Sequence, residues 1–168
     1  LARAVRDSLL PLSAGMGGLY VFLAICHLYV LPPPIAGRMA ILAGGTGVCL
    51  LLLATVCFCS PAQPKYGHSL AALLAGLALV NCVVHLRLIP DPFLTTNFGL
   101  LLIGIGAFFL STPWLVIAFV AVIGSWIGLA AGYWSEAWIG PAFFLLMSGI
   151  LALIAHAVRV RSAVRIEW

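Results

Sequence analysis

Two histidines occur in the same sequence motif, and imidazole is the side chain in this protein best suited to hold a metal or a polar ligand. The motif is His-Leu-x-aliphatic-aliphatic-Pro-x-Pro, and it begins at His27 and again at His85. Because a proline marks each helix end five residues later, both rings are predicted to lie roughly 7 Å below their helix ends. The sequence therefore predicts two imidazoles at matching depth near one face of the protein.

Other polar residues are predicted to join this pair in an outer polar cluster that binds a ligand. Asn81 precedes His85 by four residues, so it shares the same helix face and can orient the ring. Asn97 lies near the start of the next predicted helix, and Trp126 lies more than a turn inside the fifth. An ionisable group inside a membrane is costly and usually marks a site.

Three interpretations of the cluster stay open. His27 and His85 could supply two imidazole ligands to copper or zinc, completed by a nearby thiolate or carboxylate. Each could instead cap a hydrogen bond between helices, or both could be the polar contacts of a pocket for a small amphiphile. Haem is less favoured, because His68 and His85 stand at opposite ends of one predicted helix, about 25 Å apart.

The acidic residues offer no catalytic arrangement. The chain has four of them, namely Asp7, Asp91, Glu136 and Glu167, and all lie in predicted flanks or loops. The motifs of nucleotide-binding loops, zinc proteases and serine hydrolases do not occur in the sequence. We predict no catalytic residue in this chain.

These residues must be positioned by apolar helices. The chain has 168 residues, of which 64% are hydrophobic and 7% charged, with a mean hydropathy of +1.22. Lipid offers the backbone no hydrogen-bond partner, and the long unalternated apolar runs exclude strands. The predicted fold is an all-α polytopic membrane protein, a single domain over 1–168, built as three antiparallel hairpins. Its six transmembrane helices are predicted at about 9–31, 36–59, 68–89, 94–111, 113–133 and 137–158, with a cytoplasmic extension of the last to 168.

The basic residues predict the orientation. Of the eight in the chain, Arg38 and Arg87 fall on one side, and the rest on the other: Arg3, Arg6, Lys65, Arg159, Arg161 and Arg165. Cytoplasmic loops are enriched in Lys and Arg, so both termini are predicted inside a bacterial inner membrane. The net charge of +4 then suits anionic lipid headgroups, and no nucleic acid is needed to explain it.

Two further features concern assembly and output. Gly124, Gly128 and Gly132 repeat at four-residue spacing and form a predicted packing face, for another helix of the chain or for a homodimer. The last helix is predicted to leave the membrane as a rigid output helix, through His156, Arg159, Arg161 and Arg165. Because the sequence opens on Leu1 and stops within a helical pattern, we expect that it continues at one or both ends.

The stretch Leu94-Thr95-Thr96-Asn97-Phe98-Gly99-Leu100-Leu101-Leu102, followed by Phe108-Phe109-Leu110-Ser111, resembles six-helix input regions of bacterial signalling proteins. Such regions commonly precede a diguanylate cyclase (GGDEF) or histidine kinase domain. The resemblance implies a sensory module that passes a signal through its last helix to a cytoplasmic output domain in the same chain. The alternatives are a small haem- or metal-binding redox protein and a structural subunit of a membrane complex.

Overall fold

The computed structural model describes residues 2–59 and 66–166, with side chains described from residue 7 to residue 163 within those ranges. Over this part of the chain every regular element is helical, which confirms the all-α prediction. The long helices are α1 (Ala2–Val30), α2 (Pro33–Cys59), α3 (Gly67–Leu88), α4 (Thr95–Phe108), α5 (Thr112–Ala130) and α6 (Ile139–Ile166). Short 3-10 turns precede α4 (Pro92–Leu94) and link α5 to α6 (Ala131–Tyr133 and Glu136–Trp138).

Five of these helices are long and apolar enough to cross a membrane, namely α1, α2, α3, α5 and α6. The exception is α4, whose 14 residues rise only about 21 Å, against a hydrocarbon layer of about 30 Å. The sequence predicted a longer helix, 94–111. Phe109 instead leaves the helix with φ −73° and ψ 127°, and α5 then begins at Thr112 with Pro113 in its first turn, where proline is tolerated.

Other helix ends also differ from the sequence prediction. The first helix begins at Ala2 instead of residue 9 and contains Pro11 within it. The second begins at Pro33 instead of residue 36, because the fixed φ of proline suits the first helical turn. At the other end of the chain, α6 continues unbroken to Ile166; the last two residues of its predicted extension lie outside the described residues.

The most extensive pairing in the fold joins α1 to α2. A Cβ added at Gly47 would lie 2.9 Å from Val21 Cγ2 and 3.0 Å from the Gly17 carbonyl oxygen, so the two backbones meet where glycine has no side chain. Leu31 and Pro32 alone connect the two helices, which makes them an antiparallel hairpin.

The centre of the fold is formed by α3 and α4. Helix α3 packs against α1, α2, α4 and α5, while α4 packs against α3, α5 and α6. Phe98, Leu102 and Phe109 of α4 and its C-terminal end are almost fully buried in the main core. Helix α4 therefore stands between α3 on one side and α6 on the other.

The outer faces of the long helices are apolar. Phe22, Ile41, Phe58 and Val120 are each more than half exposed, on α1, α2 and α5. Exposed apolar surface on this scale is incompatible with water and suits contact with lipid. The protein is thus built as a helical membrane protein.

Candidate functional site

The two histidines of the repeated motif meet at the C-terminal ends of α1 and α3. The ring centroids of His27 and His85 lie 5.5 Å apart, with the ring planes at 71° in an edge-to-face arrangement. Each ring comes from the last turn of its helix, so the two helices run in the same direction, as their shared motif predicts.

Asn81 lies one turn below His85 and is buried, with 6% of its surface exposed. Its Nδ2 donates to Thr46 Oγ1 at 2.7 Å and to the Leu77 carbonyl oxygen at 3.0 Å. The sequence prediction gave Asn81 the role of orienting the His85 ring, whereas the amide donates to α2 and to its own helix. Asn81 thus ties α3 to α2 just below the histidine pair.

A cavity of about 750 Å³ lies below the histidines, between α1, α3 and α4. Leu12 marks its lower limit on α1, and Phe108 and Phe109 mark its lower limit on α4. The polar side chains of its wall are Tyr20, His27, Asn81, Cys82, His85 and Asn97. Four of the five residues predicted for the outer polar cluster, namely His27, Asn81, His85 and Asn97, therefore border one cavity.

Two buried polar atoms beside this cavity have no hydrogen-bond partner among the described residues, His27 Nδ1 and Asn81 Oδ1. In contrast, the side chains needed to complete a metal site do not gather around them. Within residues 2–59 and 66–166, no three or more His, Cys, Asp and Glu side chains form a group that could hold a metal ion. The geometry offers hydrogen bonds to a ligand more readily than a four-ligand zinc site.

At the opposite end of the cavity, α6 is hydrogen-bonded to the end of α4. His156 Nδ1 lies 2.8 Å from the Phe109 carbonyl oxygen, and because a carbonyl can only accept, this nitrogen must carry the proton. Arg159 Nε donates to the Ala107 carbonyl oxygen at 3.3 Å. A cation at the C-terminus of a helix also interacts favourably with the helix dipole. Ala107 and Phe109 both line the cavity, so these two bonds connect its wall directly to the last helix.

The interface between α4 and α6 is close along its length. A Cβ at Gly106 would collide with the main chain of Ala152, and a Cβ at Gly99 would collide with the Phe144 ring and lie 2.7 Å from Ser148 Oγ. These two glycines let the helices approach to backbone contact.

Trp126 lies apart from the histidine pair. Its Nε1 donates to Thr95 Oγ1 at 2.9 Å, and its ring packs against Trp134 and Trp138 at centroid distances of 6.4 and 6.3 Å. It is not among the described residues that line the cavity. Trp126 occupies a core position that connects α5 to the start of α4.

The predicted packing face on α5 points away from the described helices. Gly124 and Gly128 on α5, and Gly132 in the 3-10 turn that follows it, are all exposed, and a Cβ added at any of them would meet nothing within 4 Å. Packing within the chain therefore leaves this face open. A homodimer through it stays a prediction.

The other predicted output residues differ from one another in position. Arg161 is exposed on α6. Arg165 lies in the helical backbone of α6, but its side chain is outside the described residues. His68, near the start of α3, stacks on Phe109 with centroids 6.3 Å apart, so Phe109 contacts an imidazole of α3 as well as His156 of α6.

Thr46 and Tyr20 are the site residues that the sequence prediction missed. Thr46 stands between glycines in Gly44-Gly45-Thr46-Gly47. A hydroxyl near the middle of a transmembrane helix often indicates a hydrogen bond to another helix, so this residue could have been found from the sequence. Tyr20 lies within a long apolar segment, and no neighbouring residue in the sequence marks it as part of a site. Only the packing of α1 against α3 shows that it borders the cavity.

Comparison of the chain with protein-family models, with curated proteins and with solved structures finds no match.

Proposed function

We propose that this chain is a membrane-embedded sensory module, in which a ligand bound below the histidine pair alters α4, and α6 carries the change to a cytoplasmic output domain. In this scheme the chain crosses a bacterial inner membrane six times with both termini inside. The observation that carries the proposal is that Ala107 of α4 and Phe109, the residue directly after α4, both line the cavity and accept hydrogen bonds from α6.

The length of α6 supports the direction of the signal. Its 28 residues rise about 42 Å, roughly 12 Å more than the hydrocarbon layer needs. A helix that leaves the membrane without a break transmits rotation or translation, whereas a simple anchor needs no such extension. A ligand can shift such a helix only through a difference in affinity for its two positions.

The coupling can be tested without knowing the ligand, by filling the cavity with a side chain. Gly104 lines the cavity, and a Cβ there meets nothing within 4 Å, so Gly104→Leu occupies the space from the α4 side. In protein reconstituted into nanodiscs, we expect this substitution to change hydrogen exchange in the part of α6 that contains His156 and Arg159. The change should disappear when His156→Phe and Arg159→Gln are added.

The matched control is Gly45→Leu, since Gly45 is also exposed and uncrowded but lies on α2, outside the cavity wall. An exchange change confined to α4 in the Gly104→Leu protein would reject the coupling. Labelling of the two chain ends from opposite sides of the membrane would reject the topology.

Metal or haem binding is a second candidate function, favoured by the approach of the two imidazole rings to 5.5 Å. Two histidines supply half of the ligands that zinc takes, so a copper or zinc site would need further ligands. Elemental analysis and an absorption spectrum of the purified protein test this candidate. A sample with neither stoichiometric metal nor a Soret band would exclude it.

A further inference from the structure

The cavity that holds the histidine pair is elongated along the helices. Its wall on α1 extends from Leu12 to His27, which corresponds to about 22 Å at ~1.5 Å per residue. Its volume of about 750 Å³ is in the range of sites that enclose a small molecule. A space of this shape suits a long chain lying parallel to the helices.

Most polar side chains of the wall lie at its outer end, and the inner end is apolar. His27, Asn81, Cys82, His85 and Asn97 border the outer end, Leu12, Met16 and Phe108 border the inner end, and Tyr20 lies between them on α1. Lys, Arg, Asp and Glu are missing from the described residues that line the cavity. A charged head group would lose its hydration without gaining an opposite charge, so the wall selects an uncharged one.

The unpartnered atoms define what that head group must offer. The Leu77 carbonyl oxygen can only accept, so the nitrogen of the Asn81 amide must face it, and this fixes Oδ1 as the atom left without a partner. Asn81 Oδ1 therefore requires a donor. His27 Nδ1, the second buried atom without a partner, can be paired by a donor or an acceptor according to its tautomer. A hydroxyl can donate to or accept from such atoms, and because both are buried, the side chains that cover them must move aside for it to bind.

The cavity reaches the lipid-facing surface. Leu19 on α1 and Leu100 on α4 both line it, and they are 48% and 64% exposed. A molecule dissolved in the bilayer can therefore reach the space between these two helices sideways, without passing through water.

We infer that the cavity binds an uncharged lipid with one long apolar chain and a hydroxyl-bearing head group, the head lying against His27 and Asn81 and the chain extending toward Phe108. This inference deepens the proposed function, because it names the ligand class of the same cavity.

The test uses a photoreactive monoacylglycerol, whose head is uncharged and carries hydroxyls, added to the full chain in nanodiscs. Cross-linked positions mapped by mass spectrometry should fall on the cavity-facing residues of α1, α3 and α4. Unlabelled monododecanoylglycerol should compete, whereas dodecanoate and dodecyltrimethylammonium, with similar chains but charged heads, should compete far less. Equal competition by the charged amphiphiles, or cross-links spread over all lipid-facing helices, would overturn the inference.

Variants locate the head and the chain. Asn81→Leu and His27→Leu should each weaken labelling about tenfold, and Gly104→Leu should abolish it. A Cβ at Gly104 meets no neighbour within 4 Å, so Gly104→Leu is expected to fold. It keeps the test decisive if Asn81→Leu or His27→Leu fails to fold. His68→Phe, which retains a ring against Phe109, is the matched histidine control and should label like the natural protein.

The outcomes separate this inference from the proposed function. Specific labelling without any effect of cavity filling on α6 would reject the sensory role and keep the lipid site. An effect of Gly104→Leu on α6 without specific labelling would reject the lipid and keep the coupling.

Discussion

Replacing Gly106 with alanine tests whether α4 and α6 are held at backbone contact distance. The new Cβ would meet the C, Cα and O atoms of Ala152, and main-chain atoms cannot rotate aside as a flexible side chain can. Overpacking typically costs about 1–3 kcal/mol, and a backbone obstacle favours the upper end, about 3 kcal/mol. Alanine regains roughly 0.5–1 kcal/mol of helix propensity, so we expect Gly106→Ala to lower the free energy of unfolding by about 2 kcal/mol.

Gly104→Ala is the matched control, two residues away on the same helix. A Cβ at Gly104 meets nothing within 4 Å, so only the propensity gain applies, and this variant should be about 0.5–1 kcal/mol more stable than the natural protein. The two alanine variants should then differ by close to 3 kcal/mol, about a hundredfold in unfolding equilibrium. Unfolding in mixed micelles titrated with dodecyl sulfate, followed by circular dichroism, measures that difference. Equal stability of the two variants would refute the close α4–α6 contact.

Two other predictions concern residues away from the cavity. Trp126→Phe and Thr95→Val should each lower the free energy of unfolding by about 1 kcal/mol. The double variant should show a coupling energy of roughly 0.5–1.5 kcal/mol in the same assay. Purely additive effects would mean that the hydrogen bond between the indole and the hydroxyl contributes nothing to stability. Gly128→Leu should change the free energy of unfolding by less than about 0.5 kcal/mol, because a side chain at this position meets no neighbour. It should nevertheless abolish self-association measured by sedimentation in detergent. If the natural protein is monomeric in that experiment, the homodimer is rejected.

The sequence was informative where a local rule determines the answer. Apolar runs separated by prolines indicated the helices, and the repeated histidine motif indicated two rings at one depth. The depth of the two rings follows from the rise of a helix per residue, and the interest of these histidines follows from the cost of an ionisable group in lipid. The residues that the structure gathers around the cavity include His27, Asn81, His85 and Asn97.

The misplaced residues depend on contacts between helices that local rules cannot specify. Trp126 and Asn97 are both polar residues near the outer end in the sequence, and only helix packing decides that Trp126 bonds Thr95 while Asn97 borders the cavity. The end of α4 has a cause that the sequence does show. Pro113 has no N–H to donate to the carbonyl oxygen of Phe109, four residues earlier, and its ring would clash with that carbonyl. A continuous helix is therefore interrupted before Pro113, whereas the pairing of the Phe109 carbonyl oxygen with His156 depends on helix packing.

That early end of α4 explains why the cavity and the last helix are connected. With the 3-10 turn before it, α4 rises about 27 Å, which is less than the ~30 Å thickness of a hydrocarbon layer. Irregular backbone is tolerated there only when protein buries it and pairs its polar groups. Phe109 and Leu110 are buried, and α6 supplies a donor to the Phe109 carbonyl oxygen through His156. If a ligand moved this end of α4 alone, the carbonyl oxygen of the buried residue Phe109 would lose its hydrogen-bond partner, which costs free energy. The less costly motion carries α6 along.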